Sequence, residues 1–287
     1  MSFAKPPIIM HKRQVEVVVV SDVHLGTYGC HANELLNYLR SIDTGLLILN
    51  GDFIDIWNFN KHYFPAGHME VIKEIMNMMT SGTKVIYITG NHDEMLRKYS
   101  DMQLGNLQVT DKLVMEINNS MCWIFHGDVF DATTKGSAKL LAKLGGHGYD
   151  LLIMINSFIN WTLKLLGKEK MSFSKKVKNG VKKAVSWIAN FEQTAAELAI
   201  EKKYDYVICG HIHQQQKRRV TTDKGSVMYL NSGDWVENLS SLEYNNGDWT
   251  IYTYDAKAFE KLVIKKQKPV LNVVSEEVML YINSLAV

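Results

Sequence analysis

The sequence predicts a layered α/β fold interrupted by a helical insertion, and three observations carry that reading. Short β-branched runs recur along the chain, each ending in polar or turn-forming residues. Helix-periodic stretches separate the first three of these runs. A stretch without a good strand then runs from about residue 133 to 203, after which strands resume.

Glu16–Val20 is the first expected strand and leads into Ser21-Asp22-Val23-His24. A helix is expected over Ala32–Ser41. The strand Leu46–Leu49 follows and leads into Asn50-Gly51-Asp52. The next helix, His68–Ser81, places Val71, Ile72, Ile75, Met78 and Met79 at helical spacing on one face. Val85–Thr89 leads into Gly90-Asn91-His92-Asp93, and Cys122–Phe125 into His126-Gly127-Asp128. Runs this apolar suit strands covered on both faces. Within the insertion, Lys135–Leu144, Tyr149–Leu166 and Lys175–Lys203 read as helices, the last through Val181, Ala184, Val185, Ile188, Phe191 and Leu198. Tyr206–Cys209 then leads into Gly210-His211-Ile212-His213. Strands are expected at Gln216–Thr221, Ser226–Leu230 and Trp249–Tyr254, with a turn signal at Asn245-Asn246-Gly247-Asp248. A peripheral helix is expected from Ala256. The expected organisation is one domain over residues 1–287 that contains the insertion.

Composition narrows the function classes. The apolar fraction of 46% and charged fraction of 22% are those of an ordinary soluble protein. A net charge of +2 excludes a whole-molecule polyanion binder, so any important basic character is local. The three cysteines, Cys30, Cys122 and Cys209, are widely spaced and form no CxxC, which argues against a disulfide framework or a zinc knuckle and fits a reducing compartment. The N-terminal residues show no apolar secretory core, and Leu151–Leu166, which contains Asn156, Asn160 and Lys164, is short for a membrane span. A cytoplasmic protein is expected. Lys164–Lys183 holds eight lysines against one glutamate. That stretch reads either as a solvated face or as a contact for pyrophosphate or an anionic membrane surface, at about 1 kcal/mol per lysine near such a surface.

Five segments carry the chemistry: Asp22-Val23-His24, Gly51-Asp52, Gly90-Asn91-His92-Asp93, His126-Gly127-Asp128 and Gly210-His211-Ile212-His213. Each follows an expected buried strand, and the carboxyl ends of strands are where α/β sheets bind ligands. If the backbone stays extended there, residues i and i+2 point the same way, which would bring Asp22 together with His24 and His211 with His213. Imidazole mixed with carboxylate suits Mn, Fe or Zn, and the absence of thiolate argues against a structural zinc site. Taken singly, each segment is most often a turn or a loop. All five in this order at successive strand ends are not readily an accident.

Together they resemble the calcineurin-like metallophosphoesterases, whose pattern is D-x-H, G-D, G-N-H-D/E, H and G-H-x-H, over about Val17 to Gly233. The resemblance implies a four-layer β-sandwich flanked by helices and two divalent metal ions, manganese first, with iron and zinc as the other candidates. Asp22, His24 and His213 would hold one ion, Asn91, His126 and His211 the other, and Asp52 would bridge them. His92 would be the catalytic histidine. Asp93 would either orient its imidazole or cap a helix starting at Glu94.

Three features are similar to one branch, the UDP-2,3-diacylglucosamine diphosphatases of lipid A synthesis. They are Ser21–Gly26, then Gly51–Trp57 with Asp55 and Trp57 after the aspartate, and the long insertion followed by Ser232–Trp235. The branch implies an insertion that lids the acyl chains, a nucleotide-linked glycolipid substrate, products UMP and the lipid monophosphate, and peripheral contact with the inner membrane. The best-known members carry arginine where this chain has His92. Alternatives are a phosphodiesterase for nucleotides, nucleic acid or another lipid-linked diphosphate, and a non-catalytic scaffold. The modest charge and the lack of interleaved arginine and aromatic strips weigh against a nucleic-acid groove. The completeness of the ligand pattern weighs against a scaffold.

Overall fold

The computed structural model describes residues 12–57, 63–130, 188 and 190–257. The chain through Tyr254 forms one compact unit. A second begins at Asp255 and is described only to Lys257, so nearly all of the expected tail helix lies outside the described residues.

Among the described residues twelve strands make two sheets. The first comprises β1 (Arg13–Val20), β2 (Ile42–Asn50), β3 (Lys84–Ile88), β4 (Gln103–Leu104), β5 (Leu107–Thr110), β11 (Ser240–Asn245) and β12 (Asp248–Thr253), in the order β12-β11-β1-β2-β3-β5-β4. The second comprises β6 (Lys112–Ile117), β7 (Ser120–Phe125), β8 (Tyr206–Cys209), β9 (Gln216–Thr222) and β10 (Gly225–Asn231), in the order β6-β7-β8-β10-β9. Helices α1 (Ala32–Ser41) and α2 (Ala66–Thr80) precede β2 and β3, and α3 spans 190–201.

Strand alternation explains the layering. On β1, Val17 and Val19 face one way and Val18 and Val20 the other, and all four are buried. Val17 and Val19 join Ile48, Ile86 and Ile88 against Cys122, Ile124, Ile208 and Leu230 of the second sheet. Val18 and Val20 join Leu47 and Leu49 against Leu35, Leu39, Val71 and Ile75 of α1 and α2. The far face of the second sheet presents Val207, Cys209, Val227 and Tyr229 to Phe191, Ala195, Ala196 and Ala199 of α3. The result is helix, sheet, sheet, helix, which is the four-layer sandwich the resemblance implied. Covering both faces of each sheet is why its central strands read as unbroken apolar runs.

Four short strands, β4, β5, β6 and β11, fall where none was expected. The Asn-Gly signal at 245–248 closes the β11–β12 hairpin, with Asn246 and Gly247 both at positive φ (51° and 87°) as a type I′ turn requires. Of the insertion expected at about 133–203, only 188 and 190–203 are described; the helices Lys135–Leu144 and Tyr149–Leu166 and the lysine-rich stretch lie outside the described residues.

Two parallel sets position the site. β1, β2 and β3 run parallel in one sheet, and β7 and β8 run parallel in the other. Their carboxyl ends supply the five chemistry-bearing loops.

Candidate metal centre

The loops at those strand ends are not extended. Asp22, His24, Asp52, His211 and His213 all sit at positive φ, between 51° and 68°. The i, i+2 geometry expected of an extended chain is therefore replaced by left-handed turns, a region that Asn, Asp and His enter more readily than other side chains. Such residues cost roughly 1–3 kcal/mol each and persist only where their surroundings hold them. Here the loops hold one another: Asp22 N donates to Gly51 O (3.1 Å), His24 N to Asp52 O (2.9 Å), Gly210 N to His126 O (2.9 Å) and Trp235 N to Asp22 O (3.0 Å). Two glycines permit the close approach. A Cβ on Gly90 would run into the Asp52 carboxylate, and one on Gly210 would lie 2.6 Å from Asp22 Oδ2.

Three groups of side chains converge among the described residues, one of them His24, Asp55 and His92, which shares His24 with the first of the two expected ligand sets. Asp22, His24 and His213 bring one donor atom each within 4.8 Å of one another, and Asp52, His126 and His211 do the same. In the first group Asp22 Oδ1 lies 3.3 Å from His213 Nε2, which lies 3.4 Å from His24 Nε2. In the second, Asp52 Oδ2 lies 3.2 Å from His126 Nε2. His126 Nδ1 donates to Asn50 O at 2.9 Å, which leaves Nε2 as the ring atom directed inward. Asp22 Oδ1, Asn91 Oδ1 and His126 Nε2 are buried without a hydrogen bond. A buried polar atom left this way costs about 1–3 kcal/mol, and three of them on expected ligands are what bound cations would satisfy. The donor set, imidazole and oxygen with no thiolate, fits divalent ions.

The electrostatics agree with that fit. Burial pushes the Asp22 carboxyl up, but His213 and His126 overcome it and draw it down to about 2. Asp52 is likewise opposed by burial and held well below the usual carboxylate range by His126, with His24 and His92 adding to it. Burial lowers His213, yet Asp22 raises it to about 9. Burial also opposes His126, which Asp52 and Asp22 lift well above its ordinary value. In the metal-free protein these imidazolium protons occupy a buried negative field that divalent cations would otherwise fill.

A pH dependence follows from the signs. Both aspartates stay ionised at neutral pH, whereas His126 and His213 carry protons that a metal must displace. Manganese affinity is expected to strengthen as pH rises from about 6 to about 8, by up to about tenfold per unit for each proton displaced. Calorimetric titration in two buffers of different ionisation enthalpy would show the proton release. Binding that is independent of pH and releases no proton would contradict this picture.

Asp93 does neither thing expected of it. Its buried carboxylate accepts from Gly90 N (2.6 Å), Phe53 N (3.0 Å) and the Tyr87 hydroxyl (2.6 Å), and His92 is not among its donors. It stands at the N-cap position of the 3₁₀ helix Glu94–Tyr99 but makes no side-chain cap bond there. Asp93 is thus a brace that ties the Gly90 loop to β3 and to the loop after Asp52. The carboxylate facing His92 is Asp55, whose Oδ2 lies 3.0 Å from His92 Nδ1 and 3.3 Å from His24 Nδ1. The only sequence signal for it is its place in Gly51-Asp52-Phe53-Ile54-Asp55. Trp57, half exposed, has its ring 5.0 Å from that of His92. No helix among the described residues is long and apolar enough to cross a membrane.

The sequence also matches known proteins. The calcineurin-like phosphoesterase family model matches residues 15–215. The UDP-2,3-diacylglucosamine hydrolase of Neisseria gonorrhoeae is 23% identical over 237 residues, covering 81% of this chain and 95% of the relative. The protein of the same name from Aliivibrio fischeri is 22% identical over 250 residues, covering 85% and 99%. Among solved structures, an archaeal phosphodiesterase aligns with a TM-score of 0.40 at 16% identity, covering 83% of this chain and 98% of its own.

Proposed function

The chain belongs to the calcineurin-like phosphoesterases and is a metal-dependent hydrolase; from that premise we propose that it cleaves the pyrophosphate of UDP-2,3-diacylglucosamine to UMP and 2,3-diacylglucosamine 1-phosphate. For the reaction class, the supporting observation is the convergence of two donor groups whose buried polar atoms lack hydrogen bonds. For the substrate, support comes from relatives of that name matched along nearly their whole length.

In this reading Asp22, His24 and His213 hold one divalent ion, Asn91, His126 and His211 the other, and Asp52 bridges them. Manganese is the proposed native metal, with iron or zinc able to occupy the same donors. When bound, the pair supplies a hydroxide nucleophile at neutral pH and positive charge for the attacking and departing oxygens. The protein's own part is positioning. Asp55 holds His24 and His92 at their Nδ1 atoms, which fixes the tautomer of His24 and leaves its Nε2 for the metal. It also favours the charged form of His92: burial lowers that imidazole, and Asp55 followed by Asp52 raise it above its ordinary value. A charged His92 would place positive charge beside the reacting phosphoryl group. Asp93 keeps the Asn91–His92 loop in register and takes no part in proton transfer. A substrate with acyl chains requires work at a membrane surface, so a cytoplasmic protein in peripheral contact with anionic lipid is proposed.

The direct test is mass-spectrometric identification of products after incubating the manganese-loaded protein with UDP-2,3-diacylglucosamine. UMP and the lipid 1-phosphate are expected. Hydrolysis of a chromogenic phosphodiester with no UMP released from the lipid would overturn the substrate and leave the metal centre standing.

A further inference from the structure

The two ligands Asn91 and His126 come from different sheets, one from the loop after β3 and the other from the loop after β7. Arg97 joins those loops. Its Nη2 donates to Asp128 Oδ2 at 2.5 Å, two residues beyond His126. Its Nε donates to Thr89 Oγ1 at 3.4 Å, two residues before Asn91. Thr89 in turn donates to Asp111 Oδ1 at 2.6 Å, and that oxygen lies 3.9 Å from Arg97 Nε. The network borders a cavity of about 100 Å³ whose walls include Phe125, His126 and Val129.

A guanidinium beside a phosphoesterase centre suggests an anion site at first sight. The local charge argues otherwise. Asp128 and Asp111 set two negative charges against the one positive charge of Arg97, so the rim repels a phosphate. The pair is also not an ordinary surface bridge, because the Asp128 side chain is only 10% exposed and its partner is held by a second donor contact to Thr89.

We propose that Arg97 and Asp128 form a cross-sheet clamp that fixes the spacing of Asn91 and His126 and thereby sets the affinity of the cation at Asn91, His126 and His211 relative to the one at Asp22, His24 and His213. The proposal rests on the two-metal reading above. Both residues are positioning residues; neither touches a metal or the substrate. Outer partners of this kind typically alter metal affinity about 10–100-fold.

The test is titration of metal-free protein with manganese, followed by calorimetry and by electron paramagnetic resonance, which distinguishes coupled pairs from isolated ions. The wild type is expected to bind two ions and show a coupled spectrum. Arg97→Met and Asp128→Asn are expected to leave one of the two affinities unchanged, to weaken the other about 10–100-fold, and to show an isolated-ion spectrum at one equivalent. Arg97→Lys, which keeps the charge, is expected to recover part of the loss. Equal weakening of both ions, or no change in either, would overturn the clamp. A wild type that binds fewer than two ions would overturn the two-metal reading instead.

Discussion

Asp52→Ala is expected to lose both cations and to reduce turnover by about 10³-fold or more. The magnitude follows from what a bound pair contributes: several kcal/mol of charge stabilisation, at 1.36 kcal/mol for each factor of ten. In the proposed assignment Asp52 is the residue whose loss reaches both sites. Its Oδ2 lies 3.2 Å from His126 of the second group, its Oδ1 accepts from His92 N at 2.8 Å, and its backbone oxygen receives Val23 N and His24 N beside the first group. The backbone contacts survive removal of the carboxylate, so the loops retain their main ties. Alanine, however, is poorly suited to φ of 51°, a strain that asparagine tolerates. Asp52→Asn is therefore the informative companion, because it keeps the turn and removes only the charge. Metal content by elemental mass spectrometry and kcat should fall together in both variants. Full loading with turnover near wild type in Asp52→Asn would end the bridging assignment.

The architecture was legible where burial is two-sided. β1, β2, β3, β7 and β8 announce themselves because both faces need apolar side chains, and their polar ends mark the site. β11 is buried on both faces too, but polar residues fill one of them. Its Glu243 is buried, and two bonds from Arg13 (2.9 and 2.8 Å) together with one from Tyr38 (3.0 Å) compensate it, so a core strand carries a loop-like composition. β6 lies at a sheet edge with every other residue exposed, which leaves it no continuous apolar run. At the site, residue type and order brought the ligand candidates into view, but the backbone that joins them did not follow from strand geometry. Left-handed turns at Asp22, His24, Asp52, His211 and His213 depend on hydrogen bonds between loops distant in sequence. The same limit applies to Asp55 and Asp93. Sequence proximity favoured Asp93 as the partner of His92, whereas the turn after His92 sends Asp93 to Gly90, Phe53 and Tyr87, and the loop after Asp52 brings Asp55 in its place.

The second large effect is expected at His92, and it separates chemistry from metal binding. His92→Ala should keep both cations and slow turnover about 10²–10³-fold, the range seen when one stabiliser of transition-state charge is removed. In the proposed reaction the leaving group is a phosphate monoester, a weak base, so positive charge nearby matters more to it than a proton. The Asp55 oxygen 3.0 Å from Nδ1 favours the imidazolium. The sign of the pH effect follows. A raised histidine is charged below its pKa and loses its charge as pH rises through it, so wild-type turnover should decline on the alkaline side. His92→Arg should restore most of what His92→Ala loses and should flatten that decline, because arginine keeps its charge throughout. An arginine variant as slow as alanine, or an alanine variant that sheds metal, would show that His92 acts as a ligand or a shape and not as a charge.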